Sequence, residues 1–184
     1  MQEILKLKNK KGNYVNARIK ILDASYIDKI MIFQDEITEG LEDKQLYAPS
    51  DKDEFLKCIE SKGKVIGILD DNEDIIAIGV YIKKGYDKEN YGYDLELKEE
   101  DLLKVSQIES TLVKDNFRGN RLQKIICEKL EEIAKEEKMK FITATASPYN
   151  KYSVNNFMNL GYEIKKDKLK YGGLRRYVLA KELY

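Results

Sequence analysis

The chain has 184 residues, is 42% hydrophobic, and carries 33 basic and 33 acidic residues but no histidine. This length predicts one domain, residues 1–184, with enough apolar residues for a core. Balanced charge argues against a dedicated nucleic-acid-binding protein, whose domain is normally basic. The lack of histidine excludes Ser–His and Cys–His nucleophiles, and two cysteines are too few for a four-thiolate zinc site, so no metal is predicted.

A membrane protein is not predicted either. No apolar run reaches the roughly 18 residues of a spanning helix. The first residues, MQEILKLKNKKGNY, lack the continuous apolar stretch of a signal peptide. Cys58 and Cys127 each lie in an amphipathic helical pattern, which indicates buried free thiols and a cytoplasmic protein.

The first part of the chain alternates strand and helix patterns. A strand hairpin, a helix, an acidic loop and a second helix are predicted in this order: residues 3–8 and 13–21, 23–36, 35–50, and the stretch between Ser50 and Gly63. Ser50 is expected to cap the second helix, and Lys62-Gly63 to end it.

The rest of the chain reads as a second series of strands and helices. The predicted elements are strands 65–69 and 75–82, a loop 83–101 holding a short irregular strand, strand 105–113, a helix to about 137, strand 141–146, a helix from Asn150 to Gly161, and a hairpin of 162–166 and 174–183. Such an order predicts a mixed α/β (α+β) fold around one central sheet.

The polar loop between strand 105–113 and the next helix is the most informative stretch. A helix that opens directly after a strand presents unpaired backbone amides at the positive end of its dipole, which is a phosphate site. Arg118 and Arg121 lie in this loop, in a chain with only five arginines. Their fork geometry suits phosphate, so the loop predicts a phosphate-bearing ligand; a solvated Arg121 is the alternative.

This loop resembles that of the GNAT superfamily of N-acetyltransferases, whose pattern is Arg/Gln-x-x-Gly-x-Gly/Ala after an apolar strand end. Residues 118–123 (RGNRLQ) occupy the six places. Arg118 matches, whereas Arg121 and Gln123 replace the two later residues, which are usually small.

A second block supports the same resemblance. Family members follow the next strand with Asn-x-x-Ser/Ala, an aromatic residue and Gly-Phe/Tyr. The chain has Asn150 and Ser153, then Phe157, then Gly161-Tyr162, and its end (YGGLRRYVLAKEL) is similar to the family's closing hairpin. The resemblance covers residues 105–184.

The resemblance implies a central, mixed, mostly antiparallel, twisted sheet of six or seven strands, flanked by about four helices, with splayed central strands. It also implies acetyl-CoA as the acyl donor. Contacts with this cofactor are then expected from ten residues: Leu112, Val113, Arg118, Gly119, Asn120, Arg121, Leu122, Gln123, Asn150 and Ser153. For Asn150, a helix N-cap is an equal alternative.

Acetyl transfer to an amine needs a base, and Glu109 is the candidate because family members often place a carboxylate on this strand. An outward-facing strand residue is the alternative. Many members also use a tyrosine acid seven residues after the helix-start Asn, where this chain has Phe157. Tyr152 is the substitute candidate. Neither cysteine lies at a predicted site, so direct attack by the amine is expected.

Two polar segments are candidate walls of an acceptor site: the acidic residues between 35 and 43, and the tyrosine-rich insert 86–94. Both suit a cationic amine, either a small molecule or a peptide, bound by a monomer or homodimer. The main alternative function is a non-catalytic acyl-CoA-binding module. A dinucleotide-binding Rossmann unit is disfavoured because G-x-G-x-x-G is missing.

Overall fold

The computed structural model describes residues 4–61 and 63–184. Within them, eight strands form one sheet and four α-helices cover its faces. The strands are β1 Ile4–Lys8, β2 Tyr14–Leu22, β3 Gly63–Asp70, β4 Ile75–Ile82, β5 Val105–Val113, β6 Phe141–Ala146, β7 Glu163–Lys170 and β8 Leu174–Glu182. The helices are α1 Ile27–Glu39, α2 Lys52–Glu60, α3 Leu122–Glu136 and α4 Lys151–Asn159.

The strand order in the sheet is β1-β2-β3-β4-β5-β6-β8-β7, and every neighbouring pair is antiparallel except β5 and β6. The mixed, mostly antiparallel sheet is therefore confirmed. Its eight strands exceed the expected six or seven because the first and last hairpins both extend the central strands.

Two apolar cores lie on opposite faces of the sheet. On one face, α3 and α4 contribute Ile126, Leu130 and Phe157 to a cluster with β3 to β6. On the other face, α1 and α2 contribute Ile30 and Phe55. None of the helices in the described ranges is long and apolar enough to cross a membrane.

The start of α2 differs from the prediction by one residue. Asp51, not Ser50, is the N-cap: its carboxylate accepts from the Glu54 amide, and the Glu54 carboxylate accepts from the Asp51 amide, which completes a capping box. The Ser50 amide instead donates to Gln34 Oε1 at 3.0 Å. The predicted stop at Lys62 lies outside the described residues.

Two loops also differ from the prediction. Helix α1 continues to Glu39, three residues past the predicted end, so the first part of the predicted acidic loop is helical. Between β4 and β5 the chain forms two 3-10 helices, Tyr91–Tyr93 and Glu99–Lys104, rather than a strand. The side-chain nitrogen Nδ2 of Asn90 donates to the Leu102 carbonyl at 3.0 Å and thereby links the two ends of this insert.

The central strands β5 and β6 separate toward their C-terminal ends. Pairing of β5 with β6 runs from Val105 with Phe141 to Ile108 with Ala144 and then stops, although β5 continues to Val113. The expected splay is thus confirmed. Glu109 and Thr145 are the first residues on either side of the opening, whose strand edges present unpaired backbone groups.

Candidate active site

The opening between β5 and β6 leads into a large cleft with a volume of about 2150 Å³. Its walls come from the C-terminal half of β5, the starts of α3 and α4, the insert before β5 and the β7–β8 turn. A single small-molecule site is typically about 300–1,000 Å³. The cleft therefore has room for two substrates at once.

The loop before α3 has the geometry of an anion site. Gly119 and Arg121 have positive φ angles, 94° and 58°, and this places the turn directly against the first residue of α3. The Arg121 side chain makes no capping hydrogen bond. The amides of residues 122–124 open the first turn, so they have no carbonyl one turn earlier in the helix.

The two loop arginines add positive charge to this end of α3. Both line the cleft, and the Arg118 side chain, 57% exposed, lies 3.5 Å from Asp115. An open helix start, two cationic forks and the exposed strand edges match what a pyrophosphate with an attached amide-bearing arm needs. The residues present therefore fit coenzyme A.

Asn120 has a different role from its neighbours. Its side chain bonds both backbone groups of Lys8, donating to the carbonyl at 2.8 Å and accepting from the amide at 2.9 Å. It also donates to the Phe117 carbonyl at 2.8 Å. The side chain thus fastens the loop to β1, and only the Asn120 backbone is left for a ligand.

Gln123 joins both sides of the opening. Its amide nitrogen donates to Thr111 Oγ1 on β5 and to Ser153 Oγ on α4, both at 3.0 Å. Asn150 is the N-cap of α4, since its Oδ1 accepts from the Ser153 amide at 3.1 Å. Asn150 therefore caps α4, and its contact with the cofactor stays a prediction. Ser153 is held both by Asn150 and by Gln123.

The apolar residues assigned to the cofactor are also core residues. Leu112 and Leu122 are 5% and 2% exposed, one in each of the two cores, and Val113 packs against the core of α3 and α4. All three touch the cleft. Their packing fixes the end of β5 and the start of α3 to the two cores.

Glu109 lies on a β-bulge at the opening. Val80 pairs with Ser110 and Tyr81 with Ile108, so Glu109 is the extra, unpaired residue of β5. A bulge re-aims a side chain, and here it directs the carboxylate into the cleft. The Glu109 side chain therefore lines the cleft, and its role as the base stays a prediction.

Several groups hold the Glu109 carboxylate. Gln107 Nε2 and the Tyr91 hydroxyl donate to it at 2.9 and 3.2 Å, and Lys84 Nζ lies 3.7 Å away. Burial raises the pKa of Glu109, and the Lys84 charge and the two hydrogen bonds only partly oppose this rise. A carboxylate with a raised pKa is a better proton acceptor near neutrality than a solvated one.

The remaining predicted groups have contrasting surroundings. Tyr152 touches the cleft wall but is 91% exposed, whereas Phe157 is buried edge-on against Tyr162. Cys58 touches the cleft, which the sequence did not indicate. Burial raises the pKa of its thiol to about 12, so it stays protonated and is a poor nucleophile.

Sequence reasoning missed the contribution of the β7–β8 turn. Tyr171, predicted only as a turn residue, places its hydroxyl 2.9 Å from Thr145 Oγ1 and in hydrogen-bond contact with the Tyr91 hydroxyl. Arg176 is 3% exposed, lines the cleft, and has a buried Nη2 without a partner among the described residues. No local pattern links either residue with Glu109.

The charge of the cleft differs from the expectation for the acceptor walls. The acidic residues at 35–43 are not among the described residues that line it, whereas Asp87, Glu89 and Tyr91 of the insert are. Lysines and arginines outnumber carboxylates around the wall, and Lys84, Lys170 and Arg176 lie at the end near Glu109.

The model of the acetyltransferase (GNAT) family matches residues 27–162. The chain therefore belongs to this family, as the two motif blocks predict. A comparison with curated proteins gives no significant match.

Solved structures show the same fold. The GNAT domain of S. lividans PAT has a TM-score of 0.68 at 15% identity, with 97% of this chain and 96% of that chain covered. The Salmonella typhimurium protein yncA, solved with its cofactor acetyl-CoA, has a TM-score of 0.69 at 14% identity over 92% and 95%. The ribosomal-protein-S18-alanine N-acetyltransferase from Escherichia coli has 0.66 at 10% over 91% and 94%.

Proposed function

We propose that residues 1–184 form one N-acetyltransferase domain that moves an acetyl group from acetyl-CoA to a primary amine. The observation that carries the proposal is the position of Glu109, on a bulge at the point where β5 leaves β6. A carboxylate at this point faces whatever enters between the strands.

The donor half of the proposal rests on the loop before α3. Its amides and the Arg118 and Arg121 side chains supply donors and positive charge for the pyrophosphate. The exposed edge of Leu112 and Val113 offers backbone groups to the pantetheine arm, as added strands do in a sheet. Asn150 and Ser153 face the same opening from α4.

In the proposed reaction the amine attacks the thioester carbonyl carbon directly. The C–N bond forms, the C–S bond breaks, and Glu109 takes the proton that the amine loses, either directly or through water. A covalent enzyme route through Cys58 is disfavoured because burial keeps its thiol protonated. The large cleft supports binding of both substrates before the reaction.

The acceptor class is open to direct screening. Lysine-bearing peptides, polyamines and aminoglycosides represent the cationic amines that the sequence favours. Amines that also carry a carboxylate belong in the same panel, because Arg176 presents a buried guanidinium without a carboxylate partner among the described residues.

The decisive experiment measures release of free thiol from acetyl-CoA in the presence of each amine. An enzyme releases thiol in proportion to the acetylated amine, identified by mass spectrometry. Binding of acetyl-CoA without thiol release from any amine would instead support a non-catalytic acyl-CoA-binding module, the function that the buried Phe157 favours.

A further inference from the structure

A chain of side-chain hydroxyls crosses the opening between β5 and β6. The Tyr91 hydroxyl donates to Glu109 Oε2 at 3.2 Å, and it shares a short hydrogen bond with the Tyr171 hydroxyl. The Tyr171 hydroxyl in turn lies 2.9 Å from Thr145 Oγ1. Because Glu109 and Thr145 are the first residues beyond the last β5–β6 pair, the two phenols span the point where the strands part.

Tyr91 is fixed in place by the insert before β5. It is 3% exposed, and its backbone amide donates to Gln107 Oε1 at 2.6 Å. The preceding Asn90 is 2% exposed and caps the 3-10 helix that carries Tyr91. The same glutamine donates to Glu109, so Gln107 aligns the tyrosine and the carboxylate together.

Tyr171 is held in an uncommon conformation. Its φ angle is 50°, in the left-handed region that bulky residues rarely adopt, and two glycines with positive φ follow it in the turn. The Arg176 guanidinium lies 5.8 Å from the ring centroid. Strained residues of this kind concentrate at functional sites, and here the strain aims a phenol from the sheet edge into the cleft.

Tyr171, Tyr91 and Glu109 all line the cleft. We propose that Tyr171 is the catalytic acid that protonates the coenzyme A thiolate, and that Tyr91 returns a proton to Tyr171 from Glu109. This proposal rests on the proposed acetyl transfer. The proposed acid lies on the β7–β8 turn rather than on α4, where Phe157 is buried and has no hydroxyl to donate.

The proton balance closes within these three residues. As the C–N bond forms and the C–S bond breaks, Glu109 gains the proton of the amine and Tyr171 gives its proton to sulfur. Tyr91 then passes its proton to Tyr171 and takes one from Glu109. The products are an amide and a free thiol, and all three side chains return to their starting protonation states.

Acid strength explains why the phenols act in series with the carboxylate. Tyr91 is buried, whereas Tyr171 is 44% exposed and only partly shielded from water. Loss of solvent contact and the nearby Glu109 raise the pKa of both, so both stay protonated at neutral pH. An isolated phenol, with a pKa near 10, is a weaker acid than a thiol, with a pKa of about 8.5, whereas a carboxylic acid is stronger than either. Coupling through Tyr91 makes the net transfer, from the Glu109 carboxyl to sulfur, favourable.

The first test is a double-mutant cycle on kcat with acetyl-CoA and an amine identified by the thiol-release screen. Tyr171→Phe and Tyr91→Phe are each expected to lower kcat by roughly 100-fold, with little change in the Kd of coenzyme A. The double variant should lose little more than either single variant, because both residues serve one relay. The proposal would be overturned if the two single-variant losses in kcat multiplied in the double variant, or if Tyr171→Phe left kcat unchanged.

The second test varies the leaving group. An acetyl thioester of 4-nitrothiophenol releases a thiolate that needs no acid, so Tyr171→Phe should transfer acetyl from it as fast as the wild type does. An equal loss with both donors would assign Tyr171 a purely structural role. If Tyr152→Phe, and not Tyr171→Phe, slowed transfer from acetyl-CoA but not from the 4-nitrothiophenol thioester, the acid would be Tyr152 on α4.

Tyr93→Phe is the matched control. Tyr93 belongs to the same 3-10 helix as Tyr91 and is 46% exposed, but it is not among the described residues that line the cleft. Its hydroxyl donates to the Tyr86 carbonyl at 3.1 Å. The kcat of the Tyr93→Phe variant should equal that of the wild type. If the wild type releases no thiol with any amine, the proposed transfer itself fails, which is a different result from an unaffected Tyr171→Phe variant.

Discussion

At the scale of single residues, Glu109 combines a proposed catalytic role with a cost to the stability of the fold. Burial raises its pKa, so the folded protein holds the protonated form more tightly than the unfolded chain does. The stabilising contribution is therefore present below the unfolded pKa and is lost as pH rises through the folded one. At neutral pH the carboxylate opposes folding.

Glu109→Gln is expected to have opposite effects on activity and stability. Turnover should fall by roughly 10²- to 10⁴-fold because the proton acceptor is lost. The melting temperature at pH 7 should stay equal or rise, since the buried charge is gone. In the wild type, kcat should decline as pH falls through a pKa above the ordinary 4.5 of a glutamate. A variant with wild-type turnover would remove Glu109 from this role.

Arg121, in the loop before α3, also combines a proposed role with a cost to stability. Its left-handed backbone, with φ at 58°, is the conformation for which glycine is the ordinary residue. This explains why the family pattern has a glycine at this place. An arginine here accepts backbone strain and gains a cationic fork at the cleft.

Arg121→Gly and Arg121→Ala separate these two effects. Only the glycine variant should gain stability, by about 1 kcal/mol, because only it removes the left-handed strain. Both should bind coenzyme A roughly tenfold more weakly if the side chain contacts phosphate, as a charged hydrogen bond of about 1.5 kcal/mol predicts. Calorimetric titration measures the affinity, and unchanged affinity in both variants would show a solvated Arg121.

At the scale of elements, α3 lies close against β4 because of one glycine. A Cβ at Gly79 would lie 2.1 Å from Ile126 Cγ2, in the middle of the core face of α3. The approach brings the start of α3, and with it the loop before α3, to the end of β5. The position of the loop thus depends on a residue in a neighbouring strand.

Gly79→Ala is expected to lower the free energy of unfolding by about 1–3 kcal/mol, since a methyl group has no space there. Gly40→Ala is the matched control: its Cβ would meet its nearest neighbour, the Glu36 carbonyl oxygen, at an ordinary 3.5 Å, so stability should change little. Urea unfolding measures both. Equal effects of the two substitutions would contradict the close packing of α3 on β4.

At the scale of the whole molecule, the sheet has two halves, β1 to β5 and β6 to β8, and the ligand is expected to bind between them. Beyond Ile108, β5 stays with β4 while β6 stays with β8. Gln123 is one side chain that ties across the gap, from Thr111 to Ser153. A bound pantetheine arm would fill the place of the missing strand pairing.

Acetyl-CoA should therefore raise the melting temperature by mass action. At a concentration 100 times Kd the gain is about 2.7 kcal/mol, which corresponds to roughly 5–10 °C for a domain of this size. The shift should grow with ligand concentration. An adenine nucleotide without pantetheine should give a smaller shift, and a melting temperature independent of acetyl-CoA would contradict binding at the cleft.

The sequence by itself determined most of the elements of this protein. Strands 75–82, 105–113 and 141–146 have the predicted bounds because their apolar patterns are continuous and end at turn or polar residues. Asn150 begins α4 as predicted, since an N-cap is a local interaction. The capping box of α2 was displaced by one residue because several acidic and hydroxyl side chains compete there.

Only the tertiary structure decided the surroundings of the candidate active site. The bulge that aims Glu109 arises from the register between β4 and β5, which the β5 pattern alone does not specify. Tyr91 and Tyr171 meet across 80 residues of chain, and Gln123 meets Ser153 across 30. Local periodicity reports which face of an element is apolar, but contacts between distant polar side chains depend on how the whole sheet is assembled.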